Sequence, residues 1–184
     1  MVPATIFGSV LHSWLEWLFR EMKQNPTKSF GTLEASLTYY QRQIERKKGL
    51  LSTTTYERYL QQGKALVQAY YIQNIQIWNK KVDIELNIQK VTIEGVPVSG
   101  IIDKVEYDEN GNPTIIDYKS GAIDEKKLAV IKPGQAGGDY RRQLWFYKLL
   151  FEGYSANGPK VKAGKIAYLQ ANAEGQFPQR TIEF

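Results

Sequence analysis

Apolar residues recur with a helical period from residue 6 to about residue 23, where Leu11, Trp14, Leu15, Leu18 and Phe19 share one side. This spacing predicts a buried amphipathic helix, which Asn25-Pro26 ends. A second helix is predicted over 32–48, stopped by Gly49, and a third from Ser52 to about Trp78. The third has a capping box in Thr54 and Glu57. It sets Tyr56, Tyr59, Leu60, Leu66, Val67 and Tyr70 along one side, a stripe that reads as core before it reads as a base-stacking surface. At Val82 the period drops to two. Val82, Ile84, Leu86 and Ile88 alternate with Asp83, Glu85, Asn87 and Gln89, which predicts a half-buried strand over 82–90 with Glu85 in the polar phase. Residues 91–98, interrupted at Glu94-Gly95, continue the meander. Residues 121–138 are rich in lysine and glycine around an apolar patch at 128–131 and read as a mobile loop with a short helix. A helix with an aspartate cap follows over 139–151, then strands over 163–170 and 177–184 joined by a turn at 172–175. Helices, strands, a helix and strands in this order imply an α/β fold, a mixed sheet with helices packed on it.

Two strands carry the chemistry. Residues 101–107 and 114–119 are rich in β-branched and aromatic side chains, and Asp-Glu-Asn-Gly-Asn-Pro between them is hairpin turn chemistry. Folding the chain back about Asn110-Gly111 sets Asp103 opposite Asp117. The two-residue period then puts Asp103, Asp117 and Lys119 on one face, with Ile116 and Tyr118 on the other. Side-by-side carboxylates repel unless a positive charge sits between them. A divalent cation supplies that charge, and hard oxygen ligands suit Mg²⁺ or Mn²⁺, with the Tyr118 carbonyl as a further ligand. Lys119 would hold or help deprotonate a water on it. An Asp-x-Lys by itself equally fits a solvated edge with ordinary ion pairs, so the pattern leaves both readings open.

Composition narrows the classes. A chain of 184 residues is long enough for one domain with a real core. The absence of cysteine excludes disulfides, thiol nucleophiles and thiolate-bound zinc or iron–sulfur sites, and fits a reducing cytoplasm. No apolar run is long enough for a membrane span, and no signal-peptide pattern opens the chain. The net charge of +5 is compatible with a polyanionic partner and equally with a solubility device. Basic residues cluster at 42–48 and at Arg141-Arg142. His12, the only histidine, shares a helix face with Gly8, Leu15 and Phe19 and on its own reads as a core residue. The stretch 158–165 looks like a phosphate loop but has five residues between its glycines and Ile166 where a hydroxyl is required.

Taken together, Gly8-Ser-Val-Leu-His12, Gly100-Ile-Ile-Asp103, Ile116-Asp117-Tyr118-Lys119-Ser120-Gly121 and Tyr140-Arg-Arg-Gln143-Leu-Trp-Phe-Tyr147 resemble, in this order, the motifs of RecB-like nucleases in the PD-(D/E)XK superfamily. This is the nuclease-domain type found at the C-terminal end of helicase-nucleases. The resemblance spans nearly the whole chain. It implies a restriction-endonuclease-like α/β core with the catalytic hairpin at its centre and helices on both faces. One domain over 1–184 would comprise a mostly helical part, 1–80, and the catalytic sheet with its flanking helix, 81–184. Residue by residue, the match implies that His12, Asp103, Asp117 and the Tyr118 carbonyl bind the metal and that Lys119 is the catalytic lysine. Gln143 and Tyr147 would line the site from the helix and help place the strand being cut. Glu85 falls near a family acidic position. The implied activity is that of a Mg²⁺- or Mn²⁺-dependent DNA nuclease, exonuclease or endonuclease, in DNA repair or recombination. Its substrate would be single- or double-stranded DNA with little sequence preference. The implied partner is a helicase domain in the same chain or complex, the chain being an excised domain of a larger protein or else a small stand-alone nuclease. The alternative is a catalytically inactive DNA-binding or assembly module of the same fold, against which the intact Asp103, Asp117 and Lys119 count.

Overall fold

The helical patterns of the N-terminal part become α1 (Pro3–Gln24), α2 (Leu33–Glu45) and α3 (Thr53–Asn74). They belong to a computed structural model that describes residues 2–130, 132, 134 and 137–184 and divides into two units, Met1–Lys80 and Lys81–Phe184. Pro3 suits the first turn of α1, where its missing N–H has no intrahelical partner to lose. The buried side of α1 is wider than the predicted stripe and takes in Ile6, Phe7 and Val10 as well. Thr32 caps α2 by accepting from the Ala35 N–H, and the helix stops at Glu45 because Lys48–Leu50 tighten into a 3₁₀ turn. The cap of α3 is Ser52, which accepts from the Thr55 N–H, and not the predicted Thr54/Glu57 box. Ser52 has the extended backbone an N-cap requires, whereas Thr54 already lies inside the helix. The aromatic stripe is core: Tyr59, Val67 and Tyr70 are buried, Phe7 stacks on Tyr59 at 4.7 Å, and Trp14 meets Tyr70 edge-on at 6.2 Å.

Close approach of α2 and α3 depends on Gly63. A methyl group there would lie 1.8 Å from the Tyr40 hydroxyl oxygen, and that hydroxyl donates to the Tyr59 carbonyl at 2.8 Å. The Tyr40 ring is fully buried and has nowhere to swing. Gly63→Ala is therefore expected to lower stability by roughly 1–3 kcal/mol through overpacking, although alanine is the better helix former. A thermal melt checks this; a midpoint at or above the wild-type value would show that Tyr40 yields easily.

The C-terminal unit is a five-stranded sheet in the order β1 (Val82–Ile93), β2 (Val96–Tyr107), β3 (Pro113–Lys119), β4 (Ala163–Tyr168) and β5 (Gln179–Glu183), with α4 (Asp139–Tyr154) between β3 and β4. Neighbours are antiparallel except β3 and β4, which run parallel. A parallel pair needs a crossover, and α4 lies in it. The architecture is thus mixed α/β, as the element order predicts. β1 runs further than predicted: Val91–Ile93 belongs to it, past an irregularity between Ile88 and Val91. Glu94 and Gly95, at φ 48° and 81°, make the two-residue turn into β2.

No side chain caps α4; Gly138 is its N-cap, and Asp139, the predicted cap, pairs with Arg142 within the first turn. Leu144, Leu150 and Phe151 of α4 pack with Ile102, Val105 and Ile115 of the sheet. Gly100 permits the tight fit, since a Cβ there would come 2.9 Å from Leu150 Cδ2. That contact holds the helix carrying Gln143 and Tyr147 against the strand carrying Asp103. Between β3 and α4 a 3₁₀ turn, Glu125–Leu128, buries Leu128, while Ile131 of the predicted apolar patch lies outside the described residues. No helix among the described residues is long and apolar enough to cross a membrane.

Candidate metal centre on the central strands

The β2–β3 ladder pairs Tyr107 with Pro113 at the turn and reaches Lys104 with Ile116, one step short of Asp103 and Asp117. At that step Asp103 does not simply face Asp117. Its Oδ2 accepts the Tyr118 backbone N–H at 2.9 Å, so the carboxylate fills a position on the strand edge that a ladder carbonyl would take. One oxygen of Asp103 is thereby anchored to the peptide joining Asp117 to Tyr118. On its other side β3 pairs with β4, Asp117 with Ile166 and Lys119 with Tyr168, so the Asp-Tyr-Lys segment is held in the middle of the sheet.

Asp117 is only 2% exposed. Burial pushes its carboxyl up to about 7, an effect that Lys119 opposes and the neighbouring Asp103 reinforces. The Lys119 Nζ lies 2.6 Å from Asp117 Oδ2, a charge-assisted contact that partly offsets the burial of the carboxyl.

Lys119 also donates to Gln143 Oε1 at 2.8 Å. An ammonium can only donate, so Gln143 must turn its carbonyl to Lys119, and its amide then donates to the Tyr147 hydroxyl at 2.9 Å. Helical spacing of four puts Gln143 and Tyr147 on one row of α4, which makes this relay possible. The Tyr147 hydroxyl is pushed up to about 12 by burial first, then by Asp117, with Asp103 and Glu85 adding to it and the Gln143 bond opposing. At neutral pH it keeps its proton and can donate it to an anionic substrate. The Tyr140 ring lies under Lys119, 4.8 Å from Nζ to its centre.

Glu85 lies on the strand next to Asp103. The β1–β2 register pairs Ile84 with Lys104 and Leu86 with Ile102, which sets Glu85 against Asp103. Its backbone is left-handed, φ 47°, although the register runs without a shift from Val82 to Ile88. Carboxylate oxygens of Glu85 and Asp103 lie within 4.8 Å of one another. A non-glycine residue in this conformation inside a strand is strained, and such strain gathers at functional sites. Sequence periodicity has no signal for it.

The structure therefore brings together Asp103, Asp117, Lys119, Gln143 and Tyr147 and adds Glu85 and Tyr140. The donors are carboxylate oxygens, fit for a hard divalent cation, with Glu85 and Asp103 offering oxygens within 4.8 Å of one another. The Tyr118 side chain is buried, and its peptide is part of the same segment. His12 belongs to the N-terminal unit, half-buried in the middle of α1.

The family model of the PD-(D/E)XK nuclease superfamily matches residues 1–183. Among solved structures, the crystal structure of SSO0001 is similar with a TM-score of 0.40 and 16% identity, over 78% of this chain and 62% of that one. The chain thus spans less than two thirds of the length of that protein. No curated protein matches.

Proposed function

The chain belongs to the PD-(D/E)XK nuclease superfamily, and from that premise we propose that it is a metal-dependent deoxyribonuclease centred on Asp103, Asp117 and Lys119. The observation that carries this reading is the buried Asp117 carboxyl, 2% exposed and paired with Lys119 at 2.6 Å, with the Asp103 carboxylate beside it. When bound, Mg²⁺ or Mn²⁺ would polarise the scissile phosphate and lower the pKa of the attacking water. Asp103 and Asp117 would hold it, with Glu85 and the Tyr118 carbonyl as further oxygen ligands; for His12 as an additional ligand, the support is the sequence motif. Lys119, steadied by Gln143, would orient the nucleophile or stabilise charge developing on the phosphate. The protonated Tyr147 hydroxyl would hydrogen-bond a phosphate oxygen and so place the strand.

The order of the motifs supports the RecB-like subtype, and with it a helicase domain in the same chain or complex and a role in repair or recombination. The full-length reading frame tests that context. The basic clusters would contact phosphates, which carry no sequence information, so little sequence preference is expected.

Labelled single- and double-stranded DNA incubated with Mg²⁺, Mn²⁺ or EDTA tests the activity. Cleavage is expected with either metal, leaving 5′-phosphate and 3′-hydroxyl ends, and none in EDTA. Cleavage indifferent to EDTA overturns the mechanism.

A further inference from the structure

Beside the Asp-Tyr-Lys segment lies a second ammonium that neither the motifs nor the metal centre account for. Lys127 stands on the 3₁₀ turn between β3 and α4, and its Nζ is 4.9 Å from the centre of the Tyr140 ring and 3.3 Å from the Tyr140 hydroxyl. Lys119 contacts the same ring at 4.8 Å. One half-buried tyrosine in the first turn of α4 is therefore shared by two lysines, one of which lies in the proposed catalytic segment.

The position of Lys127 is set by packing. A Cβ at Gly138 would fall 2.2 Å from both the carbonyl carbon and oxygen of Lys127, so the start of α4 rests directly on the Lys127 peptide. Just beyond it, Arg141 Nε donates to the Leu128 carbonyl at 2.9 Å and the Gly138 N–H to the Ala129 carbonyl at 3.0 Å. Asp124 caps the turn through the Lys126 N–H, Glu125 pairs with Arg180 of β5 at 2.7 Å, and Leu128 is buried in the core. A lysine held by this many backbone constraints is aimed, and its aim is the ring beside Lys119.

The charges around it differ from those around Lys119. Lys119 is matched by Asp117 and oriented by Gln143. Lys127 finds a hydroxyl and an aromatic face, with Asp124 and Asp139 contributing less than Tyr140 does. A cation resting on a ring face and a hydroxyl is not neutralised by them, which leaves its charge available to an anion. Both ammonium groups sit within 5 Å of the centre of one ring, so Lys127 lies close enough to the Asp-Tyr-Lys segment to meet the same strand.

We infer that Lys127, held on Tyr140 beside Lys119, is a substrate-binding residue that contacts a backbone phosphate of the DNA strand being cut. The inference rests on the nuclease reading of the adjacent centre. Tyr140 is its positioning residue, with the ring setting where the ammonium lies. The contact is to phosphate, so it adds affinity and registers the strand without reading bases.

The test uses the full chain with a fluorescent single-stranded oligonucleotide. Cleavage kinetics are measured in Mn²⁺, DNA binding is measured against salt in Ca²⁺, and Mn²⁺ binding is measured by calorimetry. For Lys127→Ala and Lys127→Gln, KM is expected to rise about tenfold, the loss of one charge-assisted contact, with kcat and Mn²⁺ affinity as in wild type. The slope of log affinity against log salt should fall by about 0.7, the value for one phosphate on a single strand. Lys127→Arg should restore both. Wild-type KM and salt slope in both variants, with wild-type cleavage intact, overturn the inference. So does a loss in kcat or Mn²⁺ binding without a change in salt slope, which would mark a structural role. A wild-type protein that neither cleaves nor binds Mn²⁺ overturns instead the nuclease reading on which the inference rests.

Discussion

Asp117→Asn is expected to abolish cleavage and yet raise the thermal midpoint of the metal-free protein at pH 8. The loss of activity follows from removing a central ligand: metal-assisted charge stabilisation is worth several kcal/mol, so the rate should fall by more than about 100-fold. The gain in stability follows from the burial of this carboxyl. Its folded value is pushed from 3.8 up to about 7, burial being the largest cause. Between these values the folded chain binds more protons than the unfolded chain, so this residue makes stability fall as pH rises from about 4 to 7 and level off above. The neutral, isosteric asparagine avoids that penalty. Its advantage should therefore be full at pH 8, shrink as pH falls through 7 and vanish near pH 4. In Mn²⁺ the order should reverse, because only the wild type gains binding free energy in the folded state. Melts of both proteins at pH 4 and 8, with EDTA and with Mn²⁺, check all three statements. An Asp117→Asn protein less stable than wild type in EDTA at pH 8 would show that Lys119 needs this carboxylate more than burial penalises it.

The β2–β3 hairpin was legible because both of its signals are local. β-branched strands and an Asn-Gly-Asn-Pro turn fix the folding back, and that alone brings Asp103 to the level of Asp117. The Gln143–Tyr147 row was legible for the same reason, since helical spacing sets it. Choices between equivalent side chains were harder. Ser52 and Thr54 are both good caps, and Ser52 prevails because the 3₁₀ turn at Lys48–Leu50 delivers the chain to it in extended conformation. Asp139 likewise looks like a cap, but Gly138 is already in the cap position. What periodicity misses altogether are contacts made by long flexible side chains or by unusual backbone. Lys127 reaches Tyr140 across thirteen residues, from a stretch whose composition says only loop. Asp103 turns into the strand edge to take the Tyr118 N–H, an orientation that strict alternation does not contain.

Glu85 is the sharpest instance, and its removal should show that strain is the cost of the site. Alternation gives its polar phase but neither its left-handed backbone at φ 47° nor a carboxylate oxygen within 4.8 Å of one on Asp103. Left-handed conformation costs an L-residue about 1–2 kcal/mol, and glycine is free of this penalty while losing roughly 0.5–1 kcal/mol as a strand residue. These terms nearly cancel, and separating the two carboxylates adds a gain. Glu85→Gly should thus melt at or above the wild-type midpoint in EDTA while binding Mn²⁺ at least about tenfold more weakly, the effect expected of a lost ligand or its immediate support. Glu85→Gln keeps the side-chain shape and the strain but loses the charge, so it should share the metal defect without the gain from the backbone. Calorimetry with Mn²⁺ and melts in EDTA separate the two contributions. Wild-type Mn²⁺ affinity in Glu85→Gln would remove Glu85 from the centre, leaving Asp103 and Asp117 to hold the cation. Strong destabilisation of Glu85→Gly in EDTA would mean instead that the glutamate side chain supports the strand pairing of β1 and β2, with its strained backbone maintained by contacts other than those of the metal site.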